Sequence, residues 1–266
     1  MLIAYLIIAL IFVSSAAWYR LIRKPSEVSL THRVPRGPAP KPFLAVIVTL
    51  LLIMLGLSTL FSKPPSVQHV DLRTLAAANL QSALVAIVLL GLMKISIDRF
   101  VRIEEYGIKE EKFRSQLKDG LLGFLLAIIP VTLFRTFTLP FLNEDELHPL
   151  IRLIKDSGDI TIWSHVIFAA VIIAPILEEL MYRVILQGWL RTFLSPIPAI
   201  LITALIFSGM HGFPAVIALF PLAIILGYIY EVRHSYFACV TTHMLFNGVN
   251  LLMILISPDQ PVAPGN

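Results

Sequence analysis

The chain has 266 residues, of which 57% are hydrophobic and only 14% charged, with a formal net charge of +4. A soluble domain of this length needs far less apolar surface, so the composition excludes a water-soluble protein and places the chain in a bilayer, with lipid rather than nucleic acid as its first partner. The single cysteine, Cys239, excludes an intrachain disulfide framework and any multi-cysteine metal site.

In chain order, Leu2 to Trp18 is an apolar run with no basic residue before it and Arg20, Arg23 and Lys24 after it. A secretory signal shows the reverse, so a first transmembrane helix is expected here. Residues 20–42 are basic and proline-rich and read as a cytoplasmic loop. A second span is expected at about 43–61 and a third at about 75–93, each long enough for a core of ~30 Å at ~1.5 Å per residue. Between Lys94 and Asp119 seven basic and six acidic residues suggest a solvated helical arm on the cytoplasmic surface. A fourth span at about 121–139 contains Pro130, which removes a ladder hydrogen bond and should bend it. Residues 143–159 turn acidic, and Leu147, Leu150, Ile151 and Ile154 recur at helical spacing, as in a short interfacial helix on the outer face.

The fifth span is expected from about Ile160 to Gly188, and spans six to eight at about 197–212, 214–230 and 236–256. The expected fold is all-α: a polytopic membrane protein of about eight transmembrane helices with a polar active-site cavity among the C-terminal ones. Its parts are helices one to four (1–142), the outer interfacial segment (143–159), the catalytic core (160–256) and a polar tail (257–266). Four loops with their helix ends fall on one side and hold 16 of the 21 Lys and Arg residues. The positive-inside rule then puts both termini outside.

The fifth span carries what is hardest to keep in lipid: Glu178, Glu179 and Arg183 inside an apolar run. Each charge costs ~2.5–3.5 kcal/mol near mid-membrane on insertion scales, which marks a functional site. Residues four apart share a helix face, so Glu179 stacks with Arg183 and the pair offsets its own burial. Glu178 points about 100° away with no cation at helical spacing, free to act as a base. Phe207 and His211, and His243 and Asn247, are two further i, i+4 pairs. The turn near Leu194 is about equally far along the sequence from Glu178 and His211, so an antiparallel hairpin would bring that carboxylate and imidazole to one height. A base and a histidine in a low-dielectric cavity suit activation of water, and His243 with Asn247 would supply donors to an oxyanion. The chain contains no Gly-x-Ser-x-Gly elbow, His-Glu-x-x-His helix or phosphate loop.

Glu178-Glu179-x-x-x-Arg183, Phe207-x-x-x-His211 and His243-x-x-x-Asn247 together resemble the three motifs of the CPBP (Abi) family of CAAX-type intramembrane endopeptidases and bacteriocin-processing or self-immunity proteins. The resemblance covers about Ile160 to Ile256. It implies a peptidase open toward the cytoplasm, acting on a membrane-associated, possibly prenylated, peptide or protein. In it Glu178 and His211 activate water, His243 and Asn247 form the oxyanion site, and Glu179 and Arg183 support the site. Gly227 to Tyr236 departs from the family's usual pattern, with Arg233-His234 where Thr-Gly often follows the tyrosine, which bears on the substrate entrance.

Three other readings stay open. Glu178, His211 and His243 also make a two-histidine, one-carboxylate zinc site in which Glu178 is a ligand. A non-catalytic immunity factor or scaffold would keep the same residues as a polar core. A proton-coupled transporter would use them as a relay, although the halves show no internal repeat. One geometric conflict accompanies the main reading: with straight helices, His211 falls near the outer end of its span and His243 near the inner end of its own.

Overall fold

The computed structural model describes residues 2–35, 39–61, 72–96, 106–108, 113–138, 159–213 and 215–256. These form helices and connecting turns, with no strand among the described residues. We number the helices α1 (Leu2–Arg23), α2 (Pro42–Phe61), α3 (Leu72–Ser96), α4 (Phe113–Thr138), α5 (Ile160–Leu190), α6 (Pro196–Gly209), α7 (Ala215–Arg233) and α8 (Tyr236–Leu255). Among the described residues five helices are long and apolar enough to cross a membrane: Tyr5–Arg23, Leu72–Ile95, Phe113–Thr138, Ile160–Leu190 and Ala215–Arg233. The chain is an integral membrane protein, all-helical over its described residues. The expected interfacial helix at 143–159, but for Asp159, and the tail at 257–266 lie outside the described residues, as does half of the charged arm.

Two boundaries differ from expectation in ways that matter. α4 begins at Phe113, so the end of the charged arm is its first two turns, and Gln116 and Asp119 are buried in the protein. Their polarity is met locally. Asp119 accepts from Arg233 Nε at 2.8 Å and from the Ser29 hydroxyl, and Gln116 accepts from Ser235 at 2.6 Å. The expectation of a merely solvated arm fails for these two residues, because they are needed to tie three loops together.

The second difference is α6, which stops at Gly209 and spans only about 21 Å at ~1.5 Å per residue. Gly212, at φ +71°, supplies the left-handed residue that lets the chain leave the helix. His211, expected within a span, therefore sits on the turn that follows α6.

α4 packs against α1, α7 and α8, and glycines permit the close approach. A Cβ at Gly120 would lie 2.8 Å from Ala238 O and 2.5 Å from Thr241 Cβ, and one at Gly123 would lie 2.3 Å from Ile229 Cδ1. Pro130 removes the N–H that would reach Leu126 O. The indole of Trp18 on α1 donates to that carbonyl instead, at 3.1 Å, so a neighbouring helix meets the donor the proline lacks.

The four loops grouped by charge do meet at one end of the bundle. Val34 N donates to Val232 O at 2.7 Å and Arg233 to His32 O at 2.8 Å. Tyr236 N donates to Gly107 O at 2.9 Å, and Arg191 on the α5–α6 turn pairs with Glu231 at 2.9 Å.

Candidate active site

The site is built on α5, which is not a uniform α-helix. Two π-helical stretches, Phe168–Ile173 and Leu180–Gln187, flank the α-helical Ala174–Glu179. Pro175 accounts for the first. In that stretch Ala174 N–H reaches back five residues to Ala169 O, so the next carbonyl, Ala170 O, would be served by residue 175, which has no N–H. Asn247 on α8 fills the gap, its Nδ2 donating to Ala170 O at 2.9 Å.

One turn further along α5 the charges converge. Glu179 and Arg183 are fully buried, and Arg183 Nε donates to Glu179 Oε2 at 3.0 Å. The other oxygen, Oε1, lies 2.8 Å from His243 Nδ1. A carboxylate so paired can only accept, so Nδ1 carries the hydrogen and Nε2 of a neutral ring has a bare lone pair. That nitrogen faces Glu178 Oε2 at 3.8 Å, and Glu178 is the accessible member of the group, 24% exposed. The two glutamates thus grip one imidazole from its two nitrogens. They diverge because adjacent residues on an α-helix do.

Phe207 of α6 closes one side. Its ring lies 5.2 Å from the Arg183 guanidinium carbon and packs 5.1 Å from Tyr182, 5.6 Å from His243 and 5.0 Å from His211, centroid to centroid. A cation over an aromatic face recovers part of the cost of burying arginine.

The expected residues therefore divide. Glu178, Glu179, Arg183 and His243 form one hydrogen-bonded and electrostatic cluster. Asn247 is one turn from it along α8 and holds the α5 backbone. His211 reaches the cluster through Phe207: its Nδ1 sits 2.9 Å from Phe207 O, and its ring is on the exposed side of the turn. The depth conflict between His211 and His243 is resolved in this way, with an aromatic ring between them. The imidazole against Glu178 is that of His243. Among the described residues no three of His, Cys, Asp and Glu gather into a group able to hold a metal.

Two polar residues at the site were not singled out from the sequence. Tyr236 donates its hydroxyl to Ile176 O at 2.7 Å, pinning the start of α8 to α5 just before the glutamates. Gln187 is buried and donates to Gly227 O at 2.9 Å. Its signal was present: Glu179, Arg183 and Gln187 recur every four residues, a polar stripe in an apolar helix.

Helices that enclose a carboxylate–imidazole cluster inside an integral membrane protein define the class: a polytopic protein with a buried ionisable site. Residues 161–249, about a third of the chain, match the family model described as Type II CAAX prenyl endopeptidase Rce1-like, a match consistent with the CPBP (CAAX protease) family of peptidases. No curated protein and no solved structure matched the chain.

Proposed function

We propose that the protein is an intramembrane endopeptidase of the CAAX type, hydrolysing a peptide bond in a membrane-associated or lipidated substrate with water activated by Glu178. The observation that carries this is the 3.8 Å gap between Glu178 Oε2 and His243 Nε2. Both atoms are acceptors, and a water at hydrogen-bonding distance from each, about 2.8 Å, donates one hydrogen to either side. Its oxygen lone pairs then point outward at a substrate carbonyl. Attack transfers a proton to Glu178, and the carbonyl oxygen becomes the oxyanion.

The remaining residues take supporting parts. Glu179, held by Arg183, fixes the tautomer and orientation of His243. An asparagine amide has two N–H groups, so the bond to Ala170 leaves one on Asn247 for the oxyanion. His211, with Nδ1 directed at Phe207 O, presents Nε2 on the open side; once protonated it is the acid for the leaving amine. This arrangement moves the water-activating part from His211, where the motif resemblance put it, to His243, on the ground of which imidazole adjoins Glu178.

The meeting of the four basic loops at one end supports a plasma-membrane orientation with both termini outside, eight spans, and the site opening toward the cytoplasm. Along their helices Glu179 lies about 16 Å and His243 about 10 Å from that end. A prenylated C-terminal peptide, a leader peptide and a juxtamembrane segment are the substrates such a site reaches.

The test is cleavage of a peptide library that includes farnesylated C-terminal tetrapeptides, by purified protein in detergent. Wild type should cleave, Glu178→Gln should not, and a chelator should leave wild-type cleavage intact. Activity lost to the chelator would instead favour a zinc-dependent peptidase. A wild type that cleaves nothing, with Glu178→Gln still functional in cells, would favour a non-catalytic immunity factor or scaffold.

A further inference from the structure

Beside the cluster lies polarity that the proposed chemistry does not use. Arg183 carries five N–H groups, and its Nε is committed to Glu179; Nη1 and Nη2 are buried with no hydrogen-bond partner among the described residues. Four residues further along α5, Gln187 donates one N–H to Gly227 O while its Oε1 is buried and equally unmet among the described residues. Unmet donors on one side chain and an unmet acceptor on the next, on adjacent turns of one helix, are complementary. The phenyl ring of Phe207 beneath the guanidinium offsets some of the burial cost but accepts no conventional hydrogen bond from Nη.

The walls of this position are set by α6 and α7. A Cβ at Gly227 would come within 3.0 Å of both Gln187 Oε1 and Ile200 Cγ2, so the carboxamide oxygen lies where α7 meets α6. On the buried face of α6, between Ile200 and Phe207, is Thr203, whose hydroxyl hydrogen is committed to Ala199 O at 2.8 Å. Its oxygen can only accept. Buried polar groups that lack a protein partner are met by internal water, which typically makes about three hydrogen bonds.

We propose that Arg183 Nη and Gln187 Oε1 share an internal water, with Thr203 Oγ1 as a further acceptor, and that Gln187 is thereby a positioning residue for the site. Through the water Gln187 holds the guanidinium, the guanidinium holds Glu179, and Glu179 holds His243. The polar stripe Glu179, Arg183, Gln187 is then one continuous hydrogen-bonded column running from the reacting end of α5 toward the loops. This inference rests on the peptidase reading for its kinetic arm but not for its structural one.

Two substitutions separate water-mediated positioning from mere packing. Gln187→Met fills the space with apolar atoms and strands Arg183, whereas Gln187→Ala leaves room for a second water that replaces Oε1. Positioning through water predicts that Ala lowers kcat by a few-fold, because a second water only partly replaces Oε1, while Met lowers it about 10-fold, the scale on which outer partners of a site act. KM should stay unchanged in both. A packing or tethering role predicts the reverse order, because Ala removes more contact, and that order would overturn the proposal. The thermal midpoint in detergent should follow the same ranking, Ala above Met, independently of proteolysis. If wild type cleaves nothing, the peptidase reading falls and the midpoints alone decide. If neither variant folds, a wild-type structure at a resolution that shows ordered water decides: solvent density within hydrogen-bonding distance of Arg183 Nη and Gln187 Oε1 is expected, and an apolar void there would refute it.

Discussion

Asn247 offers the sharpest test of how the backbone of α5 is held. If its amide replaces the N–H that Pro175 lacks, Asn247→Leu leaves Ala170 O without a donor. One interhelical hydrogen bond in a membrane protein is worth ~0.6–2 kcal/mol, and an unsatisfied buried carbonyl costs ~1–3 kcal/mol. The bond is a single one at 2.9 Å between neutral groups, so a loss of ~1–2 kcal/mol is expected. At ~2–4 °C per kcal/mol for a chain of this size, the midpoint should fall by about 2–8 °C. Pro175→Ala restores a backbone donor at the position that Ala170 O would use. In that background Asn247→Leu should therefore cost less than about 0.5 kcal/mol.

The assay is a double-mutant cycle by thermal or denaturant unfolding in detergent, with cleavage measured in parallel. Equal losses from Asn247→Leu in the wild-type and Pro175→Ala backgrounds would refute the reasoning, because the carbonyl would then not be the partner that matters. Trp18→Phe with Pro130→Ala makes an internal control. The indole serves Leu126 O in the same way, so the same sign of coupling is expected. An oxyanion role for Asn247 is separable, since it lowers kcat in both backgrounds.

Three other outcomes are expected. Glu178→Gln should lower kcat by ~10²–10⁴ with stability little changed, because Glu178 is partly exposed and its ionic contact among the described residues, His243, is 3.8 Å away; Glu179→Gln should cost ~3–5 kcal/mol in unfolding experiments, because it leaves the Arg183 charge buried without its counter-ion. Equal stability of the two variants would contradict that division. Gly120→Ala should destabilise by ~1–3 kcal/mol through its approach to Ala238 O, while Gly91→Ala, whose Cβ would meet nothing within 4 Å, should stabilise α3 by ~0.4–1 kcal/mol; midpoints of the two proteins check both. Cleavage should persist in excess chelator, as scored by product mass, and its loss with recovery on adding zinc would make Glu178 a ligand rather than a base.

What the sequence made legible was local. Glu179 and Arg183 pair because four residues along a helix is a fixed geometry, and the segregation of Lys and Arg named the loops that share one end. What it hid depends on the alignment of helices distant in sequence. Equal spacing from the Leu194 turn suggested that Glu178 meets His211, but α6 ends two residues before His211, and the Phe207 ring stands between His211 and the His243 imidazole that Glu178 faces. The contact of His243 with both glutamates depends on the relative depth of α5 and α8, and no spacing rule sets that. The π-helical turns are hidden for the same reason. Pro175 is visible as a helix breaker, yet whether the helix breaks or widens depends on a donor 77 residues beyond the carbonyl it serves.

The adjacency of Glu178 and Glu179 has a consequence for how such a site is built in a membrane. Consecutive residues on a helix differ by about 100°, so one short segment sends one carboxylate into the protein and the other to the edge of a cavity. The inward one must remain charged where water cannot reach it, and it does so between an arginine and a histidine. The outward one needs no such partners, because it is open enough to be hydrated and to exchange protons. Reversing those surroundings would bury an unpaired charge at Glu178 and expose the Arg183 pair to solvent, weakening both stability and orientation. The placement of Arg183 four residues after the second glutamate rather than the first is therefore what decides which carboxylate orients the imidazole and which is free for chemistry.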